Sequence, residues 1–70
     1  MADINEVKTL SELRELRGLT QKQLAELSDY DIGKIEEFEK GTAKPKGSGC
    51  LRIADALKVD VFTINNLLGL

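Results

Sequence analysis

Cys50, the glycine pair around Ser48 and a run of charged side chains between Asp29 and Lys46 are the residues whose types could do chemistry. The cysteine has no help, because the chain contains no histidine to act as a general base. With a single cysteine, no disulfide can close within the chain. Cys50 sits at a helical position among apolar neighbours, and the expectation is a small buried hydrophobe. The spacings that hold zinc need histidines or several cysteines, so no metal and no cofactor is expected. Gly47-Ser48-Gly49 lacks the lysine and the preceding strand of a phosphate-cradling loop. An enzyme is therefore not expected, and what remains is a surface that binds something.

The elements that would position such a surface are helices. Seventy residues allow one domain with one small core, a size at which stability is marginal and self-association would help. Apolar residues recur at helical spacing between Gly18, Gly41, Pro45, Gly47, Gly49 and Gly69, and no stretch alternates as a strand would. The spacing predicts a first helix from Leu10 to Arg17, with Leu10, Leu13 and Leu16 inward and Thr9-Leu10-Ser11-Glu12 as a capping box. A second helix follows Thr20, whose Thr20-Gln21-Lys22-Gln23 repeats the box, with Leu24, Ala25 and Leu27 buried. A third begins after Asp31, an N-cap type, turns Ile35 and Phe38 inward and ends at Gly41. A fourth runs from Gly49 to Leu57 behind Ser48 as cap, with Leu51, Ile53, Ala54 and Leu57 apolar. A fifth follows Asp60 and carries Val61, Ile64, Leu67 and Leu68. Residues 1–8 form an N-terminal segment that either frays or packs Ile4 and Val7 under the domain of residues 9–70. The expected class is all-α, five helices. The second and third are joined by about three residues, Ser28 to Tyr30, which forces the sharp crossing of a helix-turn-helix.

On that framework a resemblance becomes specific. Leu13-Arg14-Glu15-Leu16-Arg17-Gly18-Leu19-Thr20-Gln21-Lys22-Gln23-Leu24-Ala25-Glu26-Leu27-Ser28 resembles the opening of the Cro/CI phage-repressor family, also called Xre. Phe38-Glu39-Lys40-Gly41, Lys44-Pro45 and Leu51-Arg52-Ile53-Ala54-Asp55-Ala56-Leu57 continue it. The likeness spans residues 9–68 and implies a lambda-repressor-like fold and a duplex-DNA-binding transcriptional regulator, a repressor in the first instance. It implies a structural ion pair between Arg14 and Glu39. Gln21 matches a family phosphate contact, which suits a helix start with free N–H groups; the alternative is a solvated first-turn residue. The stretch Gly41 to Lys46 matches a second backbone clamp, with Lys44 and Lys46 either holding phosphates or serving as ordinary loop lysines.

The third helix departs from the family pattern. At about 100° per residue its outward face is Ile32, Gly33, Glu36, Glu37 and Lys40, with Lys34 beside it as a further phosphate contact. Between Asp29 and Gly41 five acids stand against two lysines, a net of −3. Asp29 occupies a turn position where the family commonly has glycine, and aspartate tolerates the left-handed conformation. Tyr30 replaces a small aliphatic, so its ring is expected partly exposed. Two readings follow. In one, the face still reads DNA: Glu37 accepts from a cytosine amino group and Ile32 packs on a thymine methyl. In the other, the scaffold has lost DNA and become a protein-interaction module, with Ile32, Tyr30 and Phe62 rimmed by Glu36 and Glu37. The family also allows an antitoxin-like role.

The whole chain carries −2 with a pI near 5.0, which runs against the basic balance of most nucleic-acid binders. The C-terminal stretch is more apolar than one buried face needs. Phe62, Leu68 and Leu70 form either stray exposed apolars or a homodimer contact. The N-terminus does not read as a signal peptide, and no apolar run approaches the roughly 20 residues of a membrane span, so a cytoplasmic setting is expected.

Overall fold

The computed structural model describes residues 7–69, and Ile4 and Leu70 lie outside them. Among the described residues the chain forms five helices and no strand: α1 (Leu10–Leu16), α2 (Gln21–Ser28), α3 (Ile32–Lys40), α4 (Ser48–Leu57) and α5 (Val61–Leu68). The all-α expectation holds and the boundaries fall within a residue or two. Arg17 is the C-cap of α1 and not its last helical residue.

The helix starts differ in how they are built. The Thr20 hydroxyl accepts from the Gln23 N–H and the Gln23 side chain accepts from the Thr20 N–H, so the expected capping box at α2 is complete. At α1 only the forward half forms, from the Glu12 N–H to the Thr9 hydroxyl at 3.1 Å. Asp60 caps α5 by accepting from the Thr63 N–H. Asp31 stands at the N-cap of α3, yet its side chain makes no capping bond. Ser48 is not a cap either. It is the first residue of α4, and the N-cap is Gly47 with φ at 53°, a left-handed backbone that glycine adopts without steric cost.

Leu10, Leu13, Leu24, Ala25, Ile35, Phe38, Ile53, Ala54, Leu57, Ile64 and Leu68 make one core. Val7 packs against it, half-buried. α2 lies against α3 and α4, α4 against α5, and α1 against α3 and α5.

Three leucines depart from their expected places. Leu27 and Leu51 are exposed, at 60% and 57%. On α2 the buried face is Leu24, Ala25 and Ser28, whose hydroxyl donates to the Leu24 carbonyl at 2.6 Å; Leu27 falls well round the helix from that face. On α4 the buried set of Gly49, Cys50, Ile53, Ala54 and Leu57 leaves Leu51 outward in the same way. Leu68, expected outward as a stray exposed apolar or a dimer contact, is a core residue, because α5 turns it to the same side as Ile64. Cys50 is buried as expected, with its thiol directed at the Pro45 carbonyl. No helix among the described residues is long and apolar enough to cross a membrane.

Candidate nucleic-acid interface

The three residues joining α2 to α3 are Asp29, Tyr30 and Asp31, since Ser28 still belongs to α2. Asp29 turns the chain with φ at 60°, the left-handed conformation expected of it. The Tyr30 N–H then donates back to the Ala25 carbonyl at 2.9 Å, closing the end of α2. Such a tight reversal sets α3 across α2 and leaves one whole side of α3 in solvent.

That side is the one expected. Ile32, Gly33, Lys34, Glu36 and Lys40 are exposed and Glu37 is half-exposed. Ile35 and Phe38 anchor the other side. Lys34 lies 3.7 Å from Glu37, an exposed pair one turn apart. Pairs of this kind contribute little to stability, about 0.3–0.5 kcal/mol, so both side chains stay available to a partner.

The Arg14–Glu39 pair is present. Arg14 Nε donates to Glu39 Oε2 at 2.7 Å, and its other arm donates to the Leu19 carbonyl at 2.8 Å. Both side chains are largely buried, at 13% and 8% exposure. The second carboxylate oxygen accepts from Gln21 Nε2 at 2.9 Å. One carboxylate on α3 therefore binds α1 and the first residue of α2 together. Gln21 is half-buried and one of its two amide hydrogens is committed to Glu39. Its other amide hydrogen and the backbone N–H groups of Gln21 and Lys22 lie outside the capping box, which binds the N–H groups of Thr20 and Gln23.

The linker lysines separate. Lys46 is exposed after Pro45. Lys44 Nζ donates to the Leu68 carbonyl, one of the unsatisfied carbonyls at the end of α5, and so serves that helix terminus. Phe62 is the most exposed of the large apolar side chains among the described residues, at 73%.

Arg52 was missed by the sequence reading. It reaches from α4 to the α2–α3 turn, where Nε donates to the Ser28 carbonyl at 2.8 Å and the guanidinium lies over the Tyr30 ring, 4.7 Å from its centre. Tyr30 is accordingly half-buried, with its ring edge-on to Phe38 at 5.0 Å. The signal lay in three residues read separately: an aromatic in the turn, an arginine just ahead of a core isoleucine, and a glycine in the first turn of α4.

The sequence model of the helix-turn-helix domain family matches residues 8–65. The chain therefore belongs to the helix-turn-helix domain family. No curated protein matches it, and no solved structure does.

Proposed function

We propose that this protein is a sequence-specific duplex-DNA-binding regulator of the Cro/CI type that acts as a repressor. The observation that carries the reading is the Gln21–Glu39 hydrogen bond. It fixes the start of α2, with its uncommitted N–H groups, beside the solvent-facing helix α3. A phosphate held at the start of α2 would bring α3 against the adjoining groove. Lys34 on α3 adds charge there and Lys46 would serve as a second clamp, whereas Lys44 contributes only by leaving the end of α5. Base reading falls to Ile32, Glu36 and Glu37, with Gly33 allowing close approach of the backbone. Two copies joined through Phe62 would set their α3 helices about 34 Å apart, one turn of duplex.

A second reading has its own observation. The stretch from Asp29 to Gly41 carries a net −3, with Asp29, Asp31 and Glu36 exposed and Glu37 half-exposed around Ile32. Such a face would suit a basic protein partner.

Selection from random duplex DNA, followed by binding at several salt concentrations, separates the two. The DNA reading expects an enriched inverted repeat and a shallow salt dependence, since few cations are present to release counterions. No enrichment, together with no duplex binding at low salt, would overturn it in favour of the protein-binding reading.

A further inference from the structure

The Arg52 contacts converge on the joint between the two helices of the motif. Ser28 is the last residue of α2 and its carbonyl is one that the helix itself leaves unsatisfied. Arg52 Nε fills it. The same guanidinium covers the face of Tyr30 in the turn, and Arg52 Nη1 donates to the Ser48 hydroxyl at the start of α4, at 3.3 Å. Tyr30 carries the contact onward, edge-on to Phe38 in α3 with the rings at 87°. Gly49 completes the arrangement. A methyl group there would overlap the Tyr30 hydroxyl and touch Pro45. One half-buried arginine thus ties together the end of α2, the turn, the start of α4 and, through Tyr30, the core side of α3.

We infer that Arg52 is a positioning residue for the motif: it sets the angle of α3 to α2, and through that angle the fit of α3 to its target. The functional half of this inference rests on the DNA-binding reading above. Two features favour positioning over a direct contact. Nε is turned into the protein, toward the Ser28 carbonyl, and Nη1 is engaged at the surface by the Ser48 hydroxyl. Donating from two nitrogens to two acceptors while the charge lies over the ring also depends on the forked guanidinium, which lysine does not reproduce.

Arg52→Lys and Arg52→Gln, each beside the unaltered chain, test this in two arms. The first arm needs no DNA. Residual dipolar couplings of backbone amides in the free protein report the orientation of α3 relative to α2. Both variants are expected to rotate α3 while α4 and α5 keep their couplings; unchanged α3 couplings would overturn the inference. Tyr30→Leu should rotate α3 in the same sense, and it serves if an Arg52 variant does not fold.

The second arm compares a selected duplex with a random one. Arg52→Lys should lower the ratio of specific to random binding about tenfold, the size of one mismatched base pair, with the salt slope unaltered. A salt slope that falls by about one in Arg52→Gln and is restored in Arg52→Lys, with specificity intact, would mark Arg52 as a phosphate contact and overturn positioning. If the unaltered chain binds no duplex while the variants still rotate α3, the DNA-binding reading fails and the joint stands. In that case the claim on target fit is overturned with the reading that supported it.

Discussion

The two helices of the motif are made by opposite means. α2 begins with a complete capping box and ends at an aspartate in the left-handed conformation, whose N–H donates back into the helix. α3 begins at an aspartate that makes no side-chain cap and has glycine as its second residue. On its open side Lys34 and Lys40 offset Glu36 and Glu37, and it is fastened from outside. Glu39 binds it to α1 and α2 near its end, and Tyr30, in the turn before it and edge-on to Phe38, links it to α4 through Arg52. The lesson is that a helix offered to a partner need not stabilise itself. Its outward residues are free to vary because the inward ones and their neighbours hold it.

The strongest way to break this contrast is at Glu39. Truncation to alanine leaves Arg14 largely buried without its carboxylate and frees Gln21. Removing one partner of a buried ion pair costs about 3–5 kcal/mol. Against the roughly 4–10 kcal/mol expected of a domain this size, Glu39→Ala should come close to unfolding the chain in a urea titration. A loss under about 1 kcal/mol would show that the pair is solvated and that α3 is held by its apolar side alone.

On the Tyr30 side of the joint, Gly49→Ala should cost about 2 kcal/mol through overpacking against Tyr30. The cost should shrink when Tyr30 is also truncated, because the obstructing ring is gone. A double-mutant cycle by thermal unfolding measures the coupling, and strict additivity would remove Gly49 from the account of the joint.

How much of this could be read in the sequence follows from the range of the forces involved. Helix starts and stops are local, and Thr20 and Gly41 marked theirs by residue type alone. Arg14 and Glu39 were paired through family likeness, since nothing local joins residues 25 apart in the chain. Leu27, Leu51 and Leu68 could not be sorted by apolar character, because which side of a helix is buried depends on its neighbours. The Gln21 bond to Glu39, the diversion of Lys44 to the end of α5 and the Arg52 clasp were invisible for the same reason. Each is a side chain reaching across the fold to a group whose position only the tertiary structure sets.

Capping offers a direct test of the contrast between the helices. Thr20→Ala removes a hydroxyl that accepts from a backbone N–H and should cost about 1 kcal/mol. Asp31→Ala removes a side chain without such a bond, and its loss should stay within about 0.5 kcal/mol, as for an ordinary surface change. Equal losses in parallel urea titrations would mean that Asp31 does cap α3 in solution and that the two helices are built alike.

The smallest effect tests whether α3 has slack in it. Gly33 is helical, its φ lies outside the left-handed range, and a methyl group placed on it meets nothing within 4 Å. Alanine there can adopt the native backbone while losing fewer conformations on folding, so Gly33→Ala should stabilise the domain by about 0.5 kcal/mol, less than the full 1 kcal/mol of a mid-helix exchange because the site lies in the first turn. A rise in the thermal midpoint would confirm that nothing inside the fold requires glycine at this position. Duplex binding by the same variant then isolates the outward face. Affinity that falls while stability rises would place Gly33 against the partner, where a methyl group keeps the backbone from closing in. A drop in stability instead would mean that the first turn of α3 leaves the helical range in solution, and that its looseness goes further than a missing cap.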